Sequence, residues 1–379
     1  REENGLNRTV VLVFLIDALG WEIAEHFEFG DGMLEQRSSL GTVLGYSSAA
    51  IPSLLSGARP VEHGSWSMFR RADNGGSFRF TRGVPVLPHA LEWRARPYVR
   101  RLVDRGGKVR AYYDLYEIPL HLLHRFDVGQ KGNPFEPGGL SVETVFDWMR
   151  ARGIRYHLWD YRTAEEQNLR DAEAALTDAP DVLFVYTAEL DALMHRVGIF
   201  HDDVRARLRR YMEFMTSMRD AAARTGVALK TVVLSDHGMT DVTGTVDVWG
   251  ALERAGLRAG RDYLAFFDST MARFWGGGRA LAVAGEAMGA RGRRLSDDEL
   301  AGLGCLFPDR SYGDTVFLAE PGTLIVPSFM GSRAIAAMHG YHPDDRFSRG
   351  CFMTDASVAA PDSILGFKSF LQSLLGGVR

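Results

Sequence analysis

Residues Thr9 to Ile16 (TVVLVFLI) form a continuous, β-branched apolar run of strand length. Because the hydrophobicity does not alternate, such a strand has to be covered on both faces, which is the condition of a mainly parallel sheet between helices. Val182 to Tyr186 (VLFVY) and Thr231 to Leu234 (TVVL) repeat the pattern. Between them, Val142 to Arg152, Ala164 to Leu176 and Asp202 to Arg224 carry helical periodicity, the last as an Arg-rich amphipathic helix with a solvated outer face. Val109 to Tyr113, Arg155 to Trp159 and Cys351 to Thr354 are expected as further strands, and Ser363 to Leu375 as a closing helix. Alternating strands and helices predict a doubly wound α/β fold with a mixed, largely parallel sheet. We expect a single domain over 1–379, with 252–328 as a small cap-like insertion; Trp275-Gly276-Gly277-Gly278 within it marks a turn.

Polar residues with ligand chemistry follow the apolar runs. Asp17 ends the first, Asp191-Ala192-Leu193-Met194-His195 follows the second, and Ser235-Asp236-His237-Gly238 follows the third. Open α/β sheets place their ligand sites at these carboxyl ends. Asp191 and His195 are spaced to share one helical face, whereas the adjacent Asp236 and His237 can converge only at a turn, for which Gly238 is suited. Taken singly, an Asp after a strand is more often a helix cap and a His on an amphipathic helix a surface residue. Three strand ends with the same pattern, and Met338-His339-Gly340-Tyr341-His342 downstream, read instead as a metal site.

The segment Gly45 to Gly57 (GYSSAAIPSLLSG) offers a nucleophile. A Ser at the start of a helix meets unpaired N–H groups and the dipole, both of which favour an anion such as phosphate. Ser47 or Ser48 also suits a simple N-cap.

This order of motifs, from Asp17 to Tyr341, resembles the alkaline phosphatase superfamily, and most closely its type I phosphodiesterase and nucleotide pyrophosphatase branch. The resemblance implies an alkaline phosphatase-like sheet and Ser47, ten residues before Gly57, as nucleophile, with Ser48 as runner-up and more suited to capping. It also implies that Asp191, His195 and His339 hold one divalent ion, and that Asp17, Asp236 and His237 hold another toward which Ser47 bridges. Six nitrogen and oxygen ligands suit Zn²⁺, and Mn²⁺ accepts the same set. The expected reaction is hydrolysis of a small phosphodiester or pyrophosphate-linked, nucleotide-type substrate through a phospho-serine. The branch places an Asn three residues after the nucleophile as a phosphate donor, and here that position is Ala50; Tyr46, Arg70 or Arg71 could replace it. Ala50 keeps a phosphomonoesterase open, and a phosphotransferase would share the same residues. A non-catalytic ligand-binding relative is the alternative of another class, opposed by the retention of all six ligands. The sulfatase signature is absent, and the chain is short for a phosphoglycerate mutase with its long inserted domain.

At 379 residues, 46% hydrophobic, the chain can bury a large core. With 44 basic against 48 acidic residues it offers no polybasic field for a nucleic-acid duplex. No run approaches the roughly 18 apolar residues of a membrane span. Cys305 and Cys351 read as structural thiols, although one bridge would be compatible. Sparse cysteine and the lack of a leader favour the cytoplasm, and a removed leader would leave the same sequence. The sequence says nothing of oligomeric state. Among Trp66, Phe69, Phe78, Phe80, Trp93, Tyr98, Tyr112, Tyr113 and Tyr116, most are expected in packing, with a pair available to stack on a base or sugar.

Overall fold

Eight residues of Thr9–Ile16 sit at the middle of a six-stranded sheet, flanked in parallel by Ala228–Leu234 and Val182–Thr187. The order across the sheet is Gln36–Leu40, Gly350–Thr354, Ala228–Leu234, Thr9–Ile16, Val182–Thr187 and Tyr156–Trp159. Only Gly350–Thr354 runs against its neighbours. The computed structural model describes residues 8–72 and 76–377.

Alternation of side chains across the pleat splits the central strand between two cores. Val11, Val13 and Leu15 join a cluster with Leu54, Phe146, Phe184 and Phe370, under the helices Ser47–Ser56, Val145–Ala151 and Phe367–Gly377. Val10, Leu12, Phe14 and Ile16 face the 24-residue helix Asp202–Thr225 through Leu208, Tyr211, Phe214 and Met218. That helix stops at Gly226, whose φ of 71° is the left-handed conformation that only glycine adopts cheaply. Seven consecutive buried residues from Val10 to Ile16, at about 1.5–3 kcal/mol each for a large aliphatic or aromatic side chain, explain why the run has no solvent-facing alternation.

Residues 264–319 build a second sheet, four antiparallel strands in the order Leu264–Phe267, Met271–Trp275, Thr315–Ala319 and Gly292–Arg294. Its Phe266 and Phe274 belong to the same apolar cluster as Val11 and Val13. The expected strand Val109 to Tyr113 is not one: this stretch is irregular, with the N–H groups of Arg110 and Ala111 bonded to the carbonyl of Lys131 and not to a neighbouring strand. Val109 and Tyr113 are buried and Arg110 and Tyr112 exposed, a strand-like alternation without strand pairing. Cys305 and Cys351 are both buried free thiols. Among the described residues no helix is long and apolar enough to cross a membrane.

Candidate active site

Asp17 is held at the end of its strand by its own N–H, which donates to the carbonyl of Thr187 across the sheet at 2.9 Å. The chain then turns sharply, with Ala18 in the left-handed region at φ 62°, a conformation costing a non-glycine residue about 1 kcal/mol or more. The helix Glu189–Val197 follows the strand Val182–Thr187 and brings Asp191 and His195 onto one face, His195 Nε2 lying 3.3 Å from Asp191 Oδ1. Beyond Leu234 the chain bends through Asp236 and His237. Gly238 serves here by close approach and not by a positive φ: a Cβ would stand 2.1 Å from the Phe347 carbonyl oxygen.

Two sets of ligand atoms converge. Those of Asp191, His195 and His339 lie within 4.8 Å of one another, as do those of Asp17, Asp236 and His237. His195 and His237 donate from Nδ1 to the carbonyls of Ala337 (2.8 Å) and Gly238 (2.9 Å), which fixes the tautomer and leaves Nε2 of each ring facing inward. His342 stands apart from the site, beside Asp344 at 3.6 Å.

Ser47 is the first residue of the helix Ser47–Ser56, and its Oγ is 3.0 Å from His237 Nε2 and 3.4 Å from Asp17 Oδ1. Neither serine caps this helix. Tyr46 holds the cap position without a side-chain bond, because Gly45 with φ 132° turns the chain one residue earlier than a serine cap would need. The Ser48 hydroxyl is buried and has no hydrogen-bond partner among the described residues.

Burial pushes the Asp17 carboxyl well above the usual carboxylate range, and the charges of Asp236 and Asp191 raise it further. Asp236 is raised as well, by burial first. Burial acts in the same direction on Asp191, but the imidazoles of His195 and His339 outweigh it and hold this carboxyl low. His339 is driven well below the ordinary imidazole range, by burial and then by His237. Three carboxylates thus share a largely buried site, and Asp191 Oδ1, Asp236 Oδ2 and His339 Nδ1 are buried atoms without a hydrogen-bond partner among the described residues. Such a donor set fits divalent cations, which supply the charge that burial has removed.

Above the site opens a cavity of about 450 Å³, walled by Tyr112, Tyr116, Phe135, Tyr161 and Met330. Among the described residues its lining includes no Lys or Arg. Of the expected replacement donors, Arg70 and Arg71 lie outside the wall, on the strand Phe69–Arg71. Tyr46 is in the wall, but its hydroxyl is 2.7 Å from Thr270 Oγ1 and accepts the Thr270 N–H at 3.0 Å. Of the aromatics singled out in the sequence, Tyr112 and Tyr116 reach the cavity, whereas Trp66, Phe69 and Phe78 are core.

Sequence reasoning missed a buried network beside the site. Arg273 Nε donates to Asp268 Oδ2 at 2.7 Å, Ser67 Oγ to Asp268 Oδ1 at 3.0 Å, and Arg273 also donates to the carbonyls of Phe69 and Tyr312. Asp268 lines the cavity. The polar triplet Asp268-Ser269-Thr270 between two apolar runs is the sequence signal that points to it. Tyr186, whose hydroxyl donates to Asp17 Oδ2 at 2.5 Å, was hidden inside a strand.

The structure is similar to murine ectonucleotide pyrophosphatase/phosphodiesterase 5 (TM-score 0.64, 12% identity) and to its human counterpart (0.64, 10%), in each case over 97% of this chain and 95% of the other. An inactive variant of the murine protein in complex with AMP matches over the same shares (0.62, 13%). No curated protein sequence matches the chain. The profile of the family described as type I phosphodiesterase/nucleotide pyrophosphatase matches residues 11–298, ending before His339. With this match over most of its length, the chain belongs to the type I phosphodiesterase/nucleotide pyrophosphatase family and is a hydrolase of phosphoester bonds.

Proposed function

We propose that the protein hydrolyses a small phosphodiester or pyrophosphate-linked compound of nucleotide type, with Ser47 as nucleophile and two divalent cations, Zn²⁺ or alternatively Mn²⁺, as cofactors. Asp191, His195 and His339 would hold one ion, and Asp17, Asp236 and His237 with Ser47 the other. When bound, the ions supply Lewis-acid stabilisation of charge on the phosphoryl and leaving oxygens and favour ionisation of the hydroxyl. Ser47 presents Oγ at a helix N-terminus, whose dipole would favour the phosphate anion. Attack by Oγ forms the serine O–P bond and releases the leaving group; water then cleaves that bond and returns the hydroxyl. In this reading the Ser48 side chain, which lines the cavity and whose hydroxyl has no partner among the described residues, would turn to donate to a phosphate oxygen in the role left open by Ala50.

The cavity wall without Lys or Arg is the observation that carries the diester reading. A terminal phosphate dianion ordinarily needs such a clamp, whereas a diester carries one charge and a second substituent that the tyrosine-rich wall can cover. The murine relative solved with AMP supports the nucleotide type. Turnover of bis-p-nitrophenyl phosphate and p-nitrophenyl phosphate by metal-reconstituted protein tests the proposal. Diester turnover should exceed monoester turnover, and the reverse order would replace it with a phosphomonoesterase.

A further inference from the structure

The chain as a whole carries a net charge of −4, yet between Arg79 and Arg110 it has nine Lys and Arg against two Asp and Glu. Both acidic residues are engaged: Glu92 accepts the Leu120 N–H and lies 3.6 Å from Arg96, and Asp104 accepts the Tyr113 hydroxyl. Five of the nine basic residues lie on the helix His89–Arg105. Glu92, Val99 and Val103 form its buried face, and Arg96 ties it down by donating to the carbonyls of Tyr116 and Ile118.

The outer face is not an ordinary solvated one. Leu91, Trp93, Tyr98 and Leu102 are each exposed by half or more. Leu91, Tyr98 and Leu102 fall on one stripe, and Arg94, Arg101 and Arg105 follow each of them by three residues, so that a row of guanidinium groups runs beside a row of apolar side chains. Among the described residues none of these three arginines has an ion-pair partner. Arg101 lies over the Tyr98 ring, 5.9 Å from its centroid.

We propose that this face docks on an anionic lipid bilayer. Arginines that extend outward beside Leu, Trp and Tyr match a surface where phosphate charge lies directly above hydrocarbon, and the aromatic rings suit the interfacial layer. A second copy would present the same cationic face and be repelled. The helix packs on the segment that carries Tyr112 and Tyr116 into the cavity wall, with Arg100 over the Tyr113 ring at 5.4 Å, so docking brings the cavity wall close to the lipid surface.

Flotation of the metal-loaded full chain with phosphatidylcholine vesicles, with and without phosphatidylglycerol, tests this without reference to catalysis. Binding should require phosphatidylglycerol and weaken with salt. Arg94→Gln/Arg101→Gln/Arg105→Gln should bind roughly a hundredfold more weakly, at about 1 kcal/mol per arginine near the surface. Leu91→Ser/Tyr98→Ser/Leu102→Ser should also lose binding, and circular dichroism checks that both variants are folded. The proposal is overturned by equal binding to neutral vesicles, by folded variants that bind as the parent does, or by no binding at all. It is also overturned if the parent is a dimer in gel filtration that the serine variant dissociates, because a second copy would then cover the face.

Discussion

The imidazole rings of His237 and His339 stack face to face, with centroids 4.0 Å apart and planes 15° from parallel, although each belongs to a different ligand set. The two sets therefore share a wall, and a change in one ring moves the other. Asp236→Ala and His339→Ala should each lower the metal content of reconstituted protein by one ion, read by elemental analysis, with the second ion bound more weakly. Chelation should abolish activity and lower Tm, since an ion present at a thousand times its Kd stabilises the fold by about 4 kcal/mol. Unchanged metal content in both variants would rule out the ligand assignment.

Ser47→Ala should reduce turnover at least about a thousandfold while metal content is retained, because it removes the nucleophile and leaves three other ligand groups per set. Ser48→Ala should change stability by less than about 0.5 kcal/mol, since Tyr46 holds the cap position and the Ser48 hydroxyl has no partner to lose. Its kcat/KM should fall about tenfold to a hundredfold, the worth of one hydrogen bond to a charged oxygen. A phosphate trapped on Ser48, seen by mass spectrometry, would reverse the two roles.

Arg273→Met should destabilise the protein by about 3–5 kcal/mol in urea unfolding, because it strands the Asp268 carboxylate in a fully buried position. The double variant Arg273→Met/Asp268→Leu should recover much of that loss. If the single change costs under about 1 kcal/mol, the ion pair is not what stabilises the hairpin of Leu264–Phe267 and Met271–Trp275.

Acid should weaken the fold through His63. Ser65 donates its N–H to Nδ1 at 3.2 Å and Ser53 Oγ lies 2.9 Å from Nε2, so the ring is held neutral, and burial lowers its pKa to about 4. The unfolded chain takes up this proton near pH 6.5 and the folded one only near 4. The contribution is therefore complete above about pH 6.5 and is lost as pH falls, by about 2 kcal/mol at pH 5. His63→Gln should flatten the fall in urea stability between about pH 7 and pH 5 by that amount; an unchanged slope would place the acid sensitivity elsewhere.

Continuous apolar runs made the three central strands legible, and their polar terminators led to Asp17, Asp191 and Asp236 before any geometry was known. Val109 to Tyr113 misled for a physical reason: burial on alternate sides imitates a strand, but no neighbouring strand lies within bonding reach. The turn at Gly45 ahead of the Tyr46 cap and the close approach at Gly238 depend on neighbours distant in the chain, Trp66 and Phe347, that local pattern does not encode. Asp268 and Arg273 are five residues apart, yet their buried character comes from Ser67 and Tyr312, contributed by separate segments.

Gly350–Thr354 lies between Gln36–Leu40 and Ala228–Leu234, so a strand made long after both of its neighbours fills the interior of the sheet. Until it emerges from the ribosome, Gln36–Leu40 has no partner in that sheet and the edge of Ala228–Leu234 is bare, conditions under which a nascent chain needs protection from aggregation. His339 emerges just ahead of it, so this candidate ligand and this interior strand arrive together, and a chain released before them would lack both.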